Sequence, residues 1–172
     1  VAYMTADHMG GGAVPGPLFH ARYGRPMVVR FRNQLPALAQ GFGAPEVSVH
    51  LHNLHTPSES DGYPVDWFSA SACGSTLGWP GLHKDHHYPM VYAGFEEYGG
   101  IGDPREALGT LWYHDHRNDF TAPNVYRGLA GFFLAFDELD SGNEHDANAA
   151  ALRLPSGAYD VPLLLADKQF DS

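Results

Sequence analysis

The chain is poor in cysteine, in positive charge and in long apolar runs. Cys73 is its one cysteine in 172 residues, so neither an intrachain disulfide nor a thiolate metal cluster can be built from it. Ten Lys and Arg against twenty Asp and Glu leave a net charge of −10. No basic run is available to neutralise phosphates, and nucleic-acid binding is not expected. The longest apolar runs, 129–136 and 161–166, fall far short of the roughly 20 residues a spanning helix needs. Charged residues make up 17% of the chain, yet 44% is hydrophobic, which sets it apart from the charge-rich, core-poor sequences that stay disordered. The opening Val1-Ala2-Tyr3-Met4 has neither the basic nor the apolar segment of a secretory leader. The expectation is that a leader has been removed or that the chain is a piece of something longer.

Turn formers and histidine are what the chain has in excess. Gly 20 and Pro 13 together make about 19% of the residues, against about 12% in average usage. Strand-like runs are expected at 25–35, 46–52, 87–95, 108–116 and 127–136, with 69–86 irregular. The clearest is 46–52, where Val47, Val49 and Leu51 alternate with Ser48, His50 and His52. A helix within 117–127 is limited by Pro123. Short strands with Pro/Gly turns and little 3.6-residue periodicity indicate an all-β sandwich or small barrel.

Eleven histidines form two H-x-H pairs, His50/His52 and His114/His116. At that frequency two pairs stand barely above chance, so spacing alone proves little. Position says more. Residues i and i+2 of a strand face the same way, and paired imidazoles suit copper, zinc, iron or nickel. Each pair also sits at the polar end of an otherwise apolar strand. His83, His86 and His87 fall in or beside the irregular segment and read as surface residues; His8, His20, His55 and His145 read as bystanders. Cys73 has no flanking histidine and reads as structural or incidental.

The surroundings of the two pairs carry more information than the pairs. Residues 49–68 (VHLHNLHTPSESDGYPVDWF) and 109–138 (GTLWYHDHRNDFTAPNVYRGLAGFFLAFDE) resemble the first two copper-binding motifs of the multicopper oxidases, most closely the bacterial laccase-like and spore-coat members. Val14-Pro15-Gly16-Pro17 resembles the turn after that family's first strand. Tyr159-Asp160-Val161-Pro162-Leu163-Leu164 resembles the entrance to its second domain. The resemblance implies a cupredoxin-like Greek-key β-sandwich or barrel with long loops over 1–138, a linker over 139–157, and the first strand of a truncated second domain over 158–172. It assigns His50 to a type 2 copper, His52 and His114 to one type 3 copper and His116 to the other. Asp61 matches an acid beside the cluster that assists proton delivery as dioxygen becomes water. The second ring nitrogen of each ligand should be held by a carbonyl or carboxylate. Asp115, between two ligands, should face away from them.

The resemblance has departures. Asn53 stands where the family usually has Gly, so the backbone past His52 is expected to run differently. The later H-x-x-H-x-H and H-C-H motifs do not occur, so a type 1 copper is not expected in this chain. The trinuclear site would be shared with a missing C-terminal domain, in the same or an associated chain, and O2 and a small reducing substrate or metal ion would be the other partners. Phenols, aromatic amines, Mn(II), Cu(I) and bilirubin-like pigments all remain open as reductants, as does oligomeric state. A periplasmic, secreted or spore-coat location follows from the resemblance only. Two rivals stand beside this reading: a mononuclear zinc or iron enzyme of cupin type, and a non-catalytic copper-binding cupredoxin. The cupin motif requires a Glu after the second histidine; Thr56 and Pro57, or Phe120 and Thr121, do not supply it.

Overall fold

A computed structural model describes residues 13–36, 43–77, 79–94, 96 and 98–169. Among the described residues six strands form two sheets: β1 (Gly16–Arg22), β2 (Met27–Arg32), β3 (Val49–His52), β4 (His83–Tyr88), β5 (Thr110–Asp115) and β6 (Ala130–Phe136). One four-stranded sheet runs in the order β1-β6-β5-β3, and β2 pairs with β4 in a second. All pairings are antiparallel except β1 with β6. A single α-helix, α1 (Thr121–Tyr126), fills the β5–β6 connection. Pro123 lies in its first turn, where its missing N–H has no intrahelical partner to lose.

Two-residue alternation builds the core. Val49 and Leu51 of β3, Leu111 and Tyr113 of β5, Phe133 and Ala135 of β6 and Ala21 of β1 point to one side of the large sheet. There they meet Phe31 of β2 and Tyr88 of β4. Fully burying each large side chain contributes about 1.5–3 kcal/mol. Tyr88 meets Phe133 edge-on with ring centroids 5.8 Å apart. Tyr113 sends its hydroxyl through the layer to donate to the Pro17 carbonyl at 2.7 Å. Gly131 leaves room for that ring, since a Cβ there would lie 2.3 Å from the Tyr113 oxygen.

The structure departs from the sequence expectations in four places. Strand β1 was not expected, because its GPLFHAR sequence opens with Gly and Pro and lacks a clean alternation. The expected strand at 87–95 lies earlier, at 83–88, beginning inside the stretch read as irregular and sharing only residues 87 and 88 with the expectation. Its HKDHHY sequence hides a strand because the exposed positions are two histidines and an aspartate, and the other face carries Lys84 and His86 before Tyr88. The described part of the strand expected over 158–172 forms no sheet pairing; a strand exists only by bonding to an edge, and this segment lies by α1, where Gln169 donates its N–H to the Tyr126 hydroxyl. Asn53 keeps the turn that glycine would make, adopting φ 74°, a left-handed conformation that Asn tolerates better than most residues. His8 lies outside the described residues.

Candidate metal centre

His50 and His114 are direct cross-strand partners, as are His52 and Trp112. Opposite residues of an antiparallel pair face the same way, so the alternation that buries Val49 and Leu51 turns all four onto the outer face of the sheet. His116 follows β5 and stays in register through its N–H, which donates to the Ser48 carbonyl at 2.7 Å. Four imidazoles therefore lie side by side. Ring centroids are 5.5 Å apart for His50–His52, 5.4 Å for His50–His114, 5.3 Å for His50–His116, 5.6 Å for His52–His114 and 5.4 Å for His114–His116. The candidate ligand atoms of His50, His52 and His114 all fall within 4.8 Å of one another. Trp112 stacks on His114 at 4.2 Å and on His52 at 5.3 Å, which restricts both rings.

The rear nitrogens fix the tautomers. His50 Nδ1 lies 2.5 Å from the Asp61 carbonyl oxygen, and His114 Nδ1 lies 2.8 Å from that of Asp115. A carbonyl only accepts, so both Nδ1 atoms carry the proton and each Nε2 presents its lone pair to the outer face. Thr121 donates its hydroxyl to the Arg117 carbonyl at 3.1 Å, which leaves its oxygen to accept from His116 Nδ1 at 3.4 Å. His52 Nδ1 sits 3.4 Å from His114 Nε2, a spacing that two nitrogens sharing one ion adopt at metal–nitrogen bonds of about 2 Å. Burial, helped by the neighbouring imidazoles and opposed by the Asp115 carbonyl, lowers the pKa of His114 to about 4. His114 is therefore neutral at pH 7, the form that binds metal. Neutral nitrogen donors with no thiolate fit copper or another borderline ion.

Asp61 closes one edge. Its carboxylate lies 3.4 Å from His50 Nδ1 and accepts a hydrogen bond from Thr56 at 2.8 Å. Gly62 makes this approach possible: a Cβ there would sit 2.1 Å from the Val49 carbonyl oxygen. Asp115 faces away from the four imidazoles, as alternation requires, and is wholly buried. Its carboxylate accepts from the N–H of Ser48 at 2.9 Å, from Asn124 Nδ2 at 2.9 Å and from the N–H of Arg117 at 3.2 Å. Burial outweighs those bonds and raises its pKa to about 6. One carboxylate thus joins β3, β5 and α1 behind the histidines. The sequence reading passed over this role, although a short Asp between two apolar-strand histidines, with Asn124 on the following helix, was a visible sign.

Of the other histidines, His20, His55 and His145 are exposed, as expected of bystanders. His83 and His87 are exposed on β4, but His86 is not: it is fully buried between the sheets. That corrects its reading as a surface residue, since position 86 is an inward position of a strand that the sequence disguised. Cys73 is half-buried, its thiol 3.6 Å from the Leu77 carbonyl.

Comparison with known proteins supplies the family. The chain is 34% identical over 171 residues to a laccase of Bacillus subtilis (strain 168), covering 91% of this chain and 28% of that protein. It is 34% identical over 169 residues to a bilirubin oxidase of Albifimbria verrucaria, covering 96% of this chain and 22% of that one. The chain belongs to the multicopper oxidase family. It spans less than a third of the length of these relatives. Among solved structures, a multicopper oxidase from Pseudomonas thermotolerans matches with a TM-score of 0.50 and 27% identity, over 78% of this chain and 25% of that chain. A metallo-oxidase from Campylobacter jejuni matches in fold with a TM-score of 0.51 at 22% identity, over 74% of this chain and 20% of that chain. The fold is accordingly the all-β, cupredoxin-like sandwich of multicopper oxidases. No family model matches the chain. Multicopper oxidase kinship implies copper as cofactor, and it does not favour the cupin or non-catalytic readings. No helix of the described residues is long and apolar enough to cross a membrane.

Proposed function

We propose that this chain is the N-terminal cupredoxin domain of a laccase-like multicopper oxidase, supplying half of a trinuclear copper site. The whole enzyme would couple one-electron oxidation of a reducing substrate to four-electron reduction of O2 to water. The observation that carries the reading is the row of four imidazoles on one strand pair, flanked by a carboxylate. Bound copper would supply the one-electron chemistry by which this family reduces dioxygen. His50 is read as the type 2 ligand, His52 and His114 as sharing one type 3 copper, and His116 as holding the other. The 3.4 Å between His52 Nδ1 and His114 Nε2 supports the shared assignment, and the free Nε2 lone pair of His50 supports a separate one.

Asp61 is read as the proton-handling group. Its side chain is 42% exposed, so water reaches its oxygens while its main chain stays bonded to His50. Thr56 keeps the carboxylate aimed at the site by donating to Oδ1. A carboxylate so held can pass protons from solvent to the oxygens being reduced.

The cupredoxin domain is assigned to 1–138, the linker to 139–157 and the start of the next domain to 158–172. The remaining ligands, and a type 1 copper, would come from further cupredoxin domains in the same or an associated chain. We place the protein in the periplasm, the spore coat or outside the cell, on family resemblance. The test is copper stoichiometry and O2 consumption of the full-length protein with and without His50→Ala and His114→Ala. The expected result is several copper ions per protein in the wild type, with loss of copper and of O2 uptake in both variants. A single zinc or iron per chain, with the histidine variants still loaded, would refute the reading.

A further inference from the structure

Buried histidines are costly unless hydrogen-bonded, and an apolar side chain would fill a core position between two sheets more cheaply. His86 is wholly enclosed there, edge-on to Phe31 with ring centroids 5.3 Å apart. Its Nδ1 lies 2.8 Å from the Ser60 carbonyl, while its Nε2 meets no polar group of the described residues. Burial lowers its pKa to about 4, so the neutral ring donates from Nδ1. The adjoining residue of β4 grips the same turn, the His87 N–H donating to Ser60 Oγ at 2.8 Å. Ser60 itself is buried.

The residues that follow Ser60 belong to the metal centre. The Asp61 carbonyl receives His50 Nδ1, and Gly62 lies against the β3 backbone beside it. Residues 60–62 are thus fastened on one side to the two-stranded sheet and on the other to the ligand-bearing strand. A strand is a stiff support, and one peptide unit separates the carbonyl held by His86 from the carbonyl that holds His50. Displacement of the first carries the second with it.

We propose that His86 is a positioning residue for the metal centre: by holding the Ser60 carbonyl from β4 it sets the place of the Asp61 carbonyl and so the orientation of His50. The proposal rests on reading His50 as a copper ligand. It separates hydrogen bonding from packing, because two substitutions at this position change them in opposite senses. His86→Phe keeps a ring of similar size and removes the donor. His86→Asn retains a donor near the Nδ1 position and leaves a gap.

The experiment measures thermal midpoint and copper affinity, by chelator competition, on the full-length protein carrying wild type, His86→Phe, His86→Asn or Ser60→Ala. Loss of a residue supporting a ligand costs at least about tenfold in metal affinity, and that loss is expected in His86→Phe. His86→Asn should have the lower thermal midpoint of the two yet bind copper more tightly. Ser60→Ala, which loses one of the two grips on the turn, should fall between wild type and His86→Phe. Copper affinity that follows the thermal midpoint across the two His86 variants would overturn the proposal, as would wild-type affinity in His86→Phe. If His86→Asn does not fold, the ordering of Ser60→Ala and His86→Phe against wild type decides in the same sense. A wild type that takes up no copper removes the ligand reading itself and this proposal with it; a loaded wild type with an unaffected His86→Phe removes only the proposal.

Discussion

Gly62→Ala is the most severe small change available near the metal centre, and its cost can be worked from the structure. An added Cβ would sit 2.1 Å from the Val49 carbonyl oxygen, 2.4 Å from its carbon and 2.6 Å from His50 Cα, where ordinary contact begins at 3.4 Å. Residue 62 must therefore retreat by about 1.3 Å from a backbone pinned in the sheet. Overpacking of this kind costs about 1–3 kcal/mol. The backbone at φ +77° adds about 1–2 kcal/mol for a residue with a Cβ, offset by about 0.4–1 kcal/mol from stiffening the unfolded chain. The expected destabilisation is about 2–4 kcal/mol. Gly24→Ala is the control, since it has φ +83° but nothing within 4 Å; it bears the backbone strain without the collision and should cost about 1 kcal/mol. Chemical denaturation of both variants measures the difference. Chelator competition should also show weaker copper binding, by about tenfold, in Gly62→Ala only, because its retreat draws the Asp61 carbonyl from His50. Equal stability of the two variants within about 0.5 kcal/mol would refute the steric argument.

Three further outcomes follow from the same structure. Asp115→Asn turns an amide NH2 toward donors that now meet a carboxylate oxygen, and should destabilise by about 2–3 kcal/mol in urea unfolding. Asn53→Val places a β-branched residue at φ 74° and should cost at least about 1–2 kcal/mol, whereas Asn53→Gly should be close to neutral by the same measurement. His86 binds a proton near pH 6.5 when unfolded but only near pH 4 when folded. The unfolded state therefore holds more protons between those values, and stability declines as pH falls from 6.5 to 4, by up to about 1.4 kcal/mol per unit. The decline should be shallower in His86→Phe, and parallel curves for the two metal-free proteins would contradict it.

The histidine-bearing strands were legible because they obey a simple rule. In VHLH and TLWYH, every second residue is apolar or aromatic, and the histidines occupy the alternate set. What could not be read was the pairing: nothing in either segment says that His50 stands opposite His114 rather than His116, because register is settled by where Leu51 and Tyr113 meet the core. Strands β1 and β4 were obscure for opposite reasons. β1 opens with Gly and Pro and finds its place through a parallel partner far along the chain. β4 carries its inward signal on His86 and Tyr88, polar-tipped residues whose burial only tertiary contacts reveal. Supporting groups such as Ser60 and Thr121 were equally silent, since their partners come from other elements.

The pairing of β3 with β5 has a consequence for how the centre assembles. A slip of one residue between them would turn His50 and His52 into the interior and expose Val49 and Leu51 to water. Hydrophobic sorting and ligand presentation thus consult the same alignment, and a mispaired chain offers metal no coherent nest. Copper capture would serve as an inspection step, accepting only chains whose inner layer has already been assembled in the proper frame.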